Sequence, residues 1–171
     1  MATASQVRTL PLVEVIGKGF VARGRLLDAH VRVSDHFNEQ RSMVFLGEAE
    51  ITGVSDYSGG SRQLGINRDD IVIVVPVEEV IGPDALRIEK LRIGVRMLAD
   101  GWTVTGQISL VPGVSLERFV NIGQESFIPL TGVHLIGPDG GRDEDVALVQ
   151  RHAIRMLIPV DAGYDALEAP A

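Results

Sequence analysis

The chain has no cysteine. That absence removes disulfides, thiolate metal sites and a cysteine nucleophile together, so the core must hold by packing alone. No apolar run approaches the roughly 20 residues that cross a bilayer as a helix. The opening MATASQVRTLPL has neither an apolar signal core nor a small-residue cleavage site. The expectation is a soluble, cytoplasmic protein without membrane insertion. Lysine is also scarce, standing only at Lys18 and Lys90, so nearly all positive charge is arginine, which pairs with carboxylates through a planar fork. Net charge is −7, the acidic excess is spread over both halves, and aromatic residues make up 5%. Phosphate-backbone binding calls for a basic footprint, and single-strand binding for stacking platforms. The sequence supplies little of either, which argues against nucleic acid as a partner.

What is present is the composition of a globular chain: 171 residues, 45% hydrophobic and 23% charged, enough for one ordinary domain or two very small ones. An internal repeat favours two. INRDDIVIVVPV, Ile66 to Val77, lies over VQRHAIRMLIPV, Val149 to Val160, at an offset of 83. GFVARGRLL, Gly19 to Leu27, lies over GWTVTGQIS, Gly101 to Ser109, at an offset of 82. The chain divides accordingly into an extension over 1–9, a first copy over 10–78, a linker over 79–90, a second copy over 91–161 and an acidic tail over 162–171.

Inside each copy the period is two, that of strands. In LRIGVRM, Leu91, Ile93, Val95 and Met97 share a face. After the turn ADG, WTVTGQISL places Trp102, Val104, Gly106, Ile108 and Leu110 inward. A third strand is expected at MVFLGEAEITG and again at FIPLTGVHLIG. The following stretches SDYSGGSRQ and PDGGRDEDV read as loops before a closing apolar strand. Gly24 and Gly106 occupy matching places inside the second strand, where a glycine marks a sharp bend. The expected fold is all-β, two tandem, strongly bent five-stranded barrels. Units of about 70 residues bury too little surface to be comfortable alone. IVIVVPV has no polar face, which points to a strand covered on both sides, by the other copy or by another chain.

The motifs VRVSDHFN and FIPLTGVHLIG carry a resemblance. The layout is similar to Sm-like small β-barrels, and the two motifs resemble an uncharacterised bacterial family of small β domains with an Arg-Leu-Ser-Asp-x-Leu-Asn loop and a Phe-Leu-Pro-Leu-Thr strand. The first copy keeps Arg32, Ser34, Asp35 and Asn38, and the second keeps Phe127, Pro129, Leu130, Thr131 and Asn121. The resemblance implies an Sm-like fold and brings no activity with it. It also invites a ligand reading, because such barrels hold a base with Asp, Asn and Arg loops; here the corresponding residues are Arg32, Asp35, Asn38, Arg68, Asn121 and Arg151.

The competing reading of VRVSDHFN is turn chemistry. Ser34 or Asp35 accepts from backbone N–H groups to cap one helical turn, and Asn38 takes a left-handed conformation. GVSLERFVN keeps Ser115 and Asn121, which a turn needs, and has lost the Asp and His. Ser34, Pro129, Gly24 and Gly106 are accordingly structural. His30, His36, His134 and His152 have no ligand spacing, so no metal is expected, and no cofactor. No nucleophile elbow or carboxylate pair appears, so no catalytic residues are assigned. The functional expectation is a non-catalytic module that binds a protein partner or assembles with itself. RNA or small-anion binding through the Arg/Asn loops is the alternative, and an unrecognised enzyme the second alternative.

Overall fold

The computed structural model describes residues 10–28, 32–54, 57–78 and 90–160. The expected extension, the linker apart from Lys90, the tail and His30 lie outside the described residues. Along the chain run β1 (Leu12–Gly17), β2 (Phe20–Leu26), α1 (Val33–Asn38), β3 (Met43–Val54), β4 (Tyr57–Asn67), a 3-10 turn (Arg68–Asp70) and β5 (Ile71–Pro76). The same series follows as β6 (Leu91–Ala99), β7 (Trp102–Leu110), α2 (Leu116–Ile122), β8 (Phe127–Gly137), β9 (Gly140–Gln150), a 3-10 turn (Arg151–Ala153) and β10 (Ile154–Val160). The all-β expectation holds.

The ten strands form one antiparallel sheet in the order β10-β6-β7-β8-β9-β5-β1-β2-β3-β4. Each half is a four-strand meander followed by a fifth strand that returns to pair with the first. The registers agree as well as the order. Val13 faces Pro76 and Ile16 faces Ile73 across β1 and β5, while Val95 faces Pro159 and Leu98 faces Met156 across β6 and β10. Between the halves β5 pairs with β9, Ile73 opposite Val149 and Val74 opposite Leu148. The outer sides of β10 and β4 have no strand partner among the described residues.

Two apolar clusters lie on this sheet, and β5 serves both. Val74 belongs with Val13, Val15, Leu46 and Phe37, whereas Ile73 and Val75 belong with Val95, Met97, Leu135 and Val149. All of Ile71 to Val75 are buried. A strand with a core on either face has no use for a polar residue, which is why IVIVV contains none.

Two expectations need correcting. SDYSGGSRQ and PDGGRDEDV belong mostly to β4 and β9, eleven-residue strands that extend well beyond the apolar segments. Glycines and carboxylates mask strand character there because much of each strand faces solvent, and cross-strand pairing supplies the order that propensity does not. Nor is Asn38 left-handed: it is the last residue of α1, and among the described residues the non-glycine positive φ values belong to Asp28, Glu48 and Asp100.

The bend at Gly24 and Gly106 is built from both partner strands. The β2–β3 register shifts between Arg23 and Arg25, and the β7–β8 register shifts between Thr105 and Gln107. Each glycine therefore faces a bulge that brings the neighbouring backbone close. A Cβ on Gly24 would stand 2.9 Å from the Gly47 carbonyl oxygen, and one on Gly106 would stand 3.2 Å from that of Thr131.

Candidate functional site

Asn38 ends α1, and its side chain reaches 89 residues along the chain. Its Nδ2 donates to the Phe127 carbonyl at 3.1 Å, and its Oδ1 accepts from the Phe127 N–H at 2.8 Å. An asparagine amide offers one donor and one acceptor side by side, so it completes a backbone rung where no strand is present. The Phe127 side chain is fully buried, meeting Phe37 edge to face at 5.4 Å, with the Arg68 guanidinium 5.8 Å from its ring centroid. Gln150, paired with Phe127 across β8 and β9, donates from Nε2 to the Arg68 carbonyl at 2.9 Å. Asn38, Phe37 and Arg68 of the first half thus converge on Phe127 and Gln150 of the second. On the other side of this junction Arg142 of β9 pairs with Glu14 of β1, and that hydrogen bond is the main reason the Arg142 pKa is raised.

The remaining VRVSDHFN residues do not join this cluster. Arg32 is the exposed N-cap of α1, and Asp35 is exposed in its first turn. The expected side-chain cap is not made: Ser34 and Asp35 lie inside the helix, and no side chain caps it. The cap does form in the second half, where Ser115 Oγ accepts from the Arg118 N–H at 3.2 Å. A cap must precede the first helical residue, and α1 begins one residue before Ser34, so neither hydroxyl nor carboxylate is placed to reach back.

Arg151 is held by the end of α2. Its Nε donates to the Glu125 carbonyl at 2.8 Å, and its Nη1 donates to the carbonyls of Phe119, at 3.0 Å, and Val120. Burial lowers its pKa from the ordinary value, and Glu125 works in the opposite direction. The Phe119 and Val120 carbonyls belong to the last turn of α2, where a cation is favoured, and that of Glu125 lies just beyond it. Asn121 is exposed, and its side chain has no partner among the described residues. Pro129 lies in the part of β8 before β7 pairing begins at Thr131. The Phe127 N–H points to Asn38 rather than to β9, so the nitrogen two residues on faces the same way and its missing hydrogen breaks no rung of the ladder.

An apolar groove of about 510 Å³ is lined by Phe20, Ile51, Tyr57, Leu64 and Ile66, along the inner side of the β4 edge. A polar cleft of about 370 Å³ combines Lys18, His152 and Arg155 with Asp69 and Asp100, a balanced set of charges. Among the described residues no group of three or more His, Asp or Glu side chains could hold a metal ion, and no helix is long and apolar enough to cross a membrane.

Asn38 and Arg68 stand out in the sequence as candidate residues, whereas their contact with Phe127 and Gln150 does not. Phe127 and Gln150 stand where the first half has Met43 and Asn67, since both pairs are opposed at the same rung. That contrast between matched positions was the available signal. Comparison of the chain with known protein families, curated proteins and solved structures finds no match.

Proposed function

We propose that this chain is a non-catalytic assembly module: a duplicated, strongly bent five-stranded Sm-like unit whose copies join edge to edge and whose outer edges take up protein. The supporting observation is the β5–β9 pairing, in which an edge of each half is already consumed by the other while the equivalent edges, β4 and β10, are unpaired among the described residues. Unpaired strands of this length are templates for another chain unless they are blunted. Here the outer strands carry exposed Met156 and Ile158 on one side and Tyr57, opposite Val54 of β3, on the other. Of the loop residues that would hold an anion, three are engaged within the molecule, Asn38 on Phe127, Arg68 over its ring and Arg151 on three carbonyls, while Arg32 and Asn121 are exposed.

Affinity purification of the tagged chain tests the reading, comparing the native sequence with a Gln63→Pro variant of β4, whose N–H faces away from β3, and a Met156→Asp variant of β10. The expected result is a stoichiometric protein chain, of the same or another sequence, recovered with the native edges and lost with either variant. A labelled single-stranded RNA supplies the opposing arm. Salt-sensitive RNA binding that depends on Arg32, with no co-purifying protein, would overturn the proposal.

A further inference from the structure

The junction between the halves prescribes a second junction. Most of the groups that build it have a counterpart by position in the other half, and those counterparts lie on or beside the two outer edges. Ile73 and Val75 of β5 correspond at an offset of 83 to Met156 and Ile158 of β10. The first pair is 0% and 2% exposed, the second 52% and 47%. Leu148 and Val149 of β9 correspond to Gly65 and Ile66 of β4. Asn38 corresponds to exposed Asn121, and its acceptor Phe127 to Met43, which is 38% exposed. Gln150 corresponds to Asn67, and Arg68 to Arg151.

Even the backbone that presents the acceptors is the same. The Arg68 N–H donates to the Ser42 carbonyl at 2.9 Å, and the Arg151 N–H donates to the Ser126 carbonyl at 2.7 Å. The groove completes the correspondence. Trp102, Leu135, Ala147 and Val149 of the second half share one packed cluster with Ile73 and Val75 of the first. Their counterparts Phe20, Ile51, Leu64 and Ile66 line the open groove of about 510 Å³ beside β4.

From this we propose that the chain associates head to tail with further copies of itself, β10 of one chain adding to β4 of the next. The inference rests on the assembly reading and names its partner. The internal register fixes the external one, with Met156 opposite Ile66 and Leu157 opposite Gly65 of the neighbour. Met156 and Ile158 enter the apolar groove. Asn121 takes the backbone N–H and carbonyl of Met43, and Asn67 donates to the Arg151 carbonyl. Two features make this junction weaker than the internal one. Met43 replaces the buried Phe127 ring, and the Arg142–Glu14 pair has no counterpart, because Gly59 and Arg96 stand at those positions. Association is therefore reversible. The two surfaces differ, so the contact is heterologous and yields a ring where the rotation closes and a filament where it does not.

Light scattering across a dilution series of the full chain tests the proposal. The native protein is expected at multiples of 18.4 kDa that rise with concentration. Met156→Asp should give a folded monomer, and Asn121→Ala should weaken association at least tenfold. The absence of native cysteine permits a register test: Met156→Cys and Ile66→Cys chains, each folded by circular dichroism, should cross-link when mixed and not separately, because directly opposed Cα atoms lie within disulfide reach. A native chain that stays monomeric to its solubility limit overturns the inference, as does an oligomer that both edge substitutions leave intact. Should such a monomer still recover a different protein through its edges, the assembly reading stands alone; if it recovers none, both fall.

Discussion

Glu48 holds a left-handed backbone at φ 47°, exposed and without a side-chain partner among the described residues. The matching residue of β8 is Gly132, at φ 57°. Both sit in the bulge that faces the strand glycine, so the conformation belongs to the bend and the first half pays a steric cost the second avoids. Glu48→Gly should therefore raise stability by about 1 kcal/mol, read as a higher midpoint in urea with an unchanged slope. The opposite experiment lies across the bulge. Valine at Gly106 would drive a branched side chain onto the Thr131 carbonyl and the Leu130 side chain, each about 3.2–3.3 Å from the first added carbon. Gly106→Val should cost about 1–3 kcal/mol or more, as other overpacked sites do. An unchanged thermal midpoint would show that the bend does not depend on close backbone approach.

Among the elements, α1 and α2, of six and seven residues, share a place in the repeat, yet differ in what they hold. Asn38 bridges to Phe127, whereas Asn121 faces solvent. Asn38→Ala should cost about 1–3 kcal/mol, because it strips a donor and an acceptor from a partly buried rung. Asn121→Ala should stay within about 0.5 kcal/mol in the dilute chain. Equal losses in parallel denaturant titrations would remove the distinction between the two helices. This pair also marks how far the sequence could be read. Strands β6, β7 and β8 were legible because one face of each meets a core and the other meets solvent, which writes a period of two directly into Val95, Met97, Val104, Ile108 and Leu110. Strands β4 and β9 were not, since their ordering comes from neighbours on the sheet while their own residues, Gly59, Gly60, Gly140 and Asp143, spell turns. Asn38 was legible as a polar residue with a task. Its target was not, because a contact 89 residues away depends on which strand the sheet places beside α1, and spacing carries no such information.

At the scale of the whole molecule, β5 decides whether the halves behave as one body or two. It closes the first half by pairing with β1 and joins the second by pairing with β9, while its side chains divide between the two clusters. A unit cut on either side of β5 would lose a sheet partner and expose a fully apolar face, and small units have little stability in reserve to absorb that loss. The two halves should then unfold together. Calorimetry is expected to give one transition whose calorimetric and van't Hoff enthalpies agree, despite the near-identical topology of the halves. Ile73→Ala should lower that single transition by an amount equivalent to about 2–5 kcal/mol, the range for a buried isoleucine, without splitting it. Ile73 belongs to the second half's cluster although it lies in the first half of the sequence, so hydrogen exchange should quicken in β6 to β9 as well as in β5. Two resolved transitions in the native chain, or faster exchange confined to residues 10–78, would mean that the β5–β9 pairing is a seam between independent units rather than part of a common core.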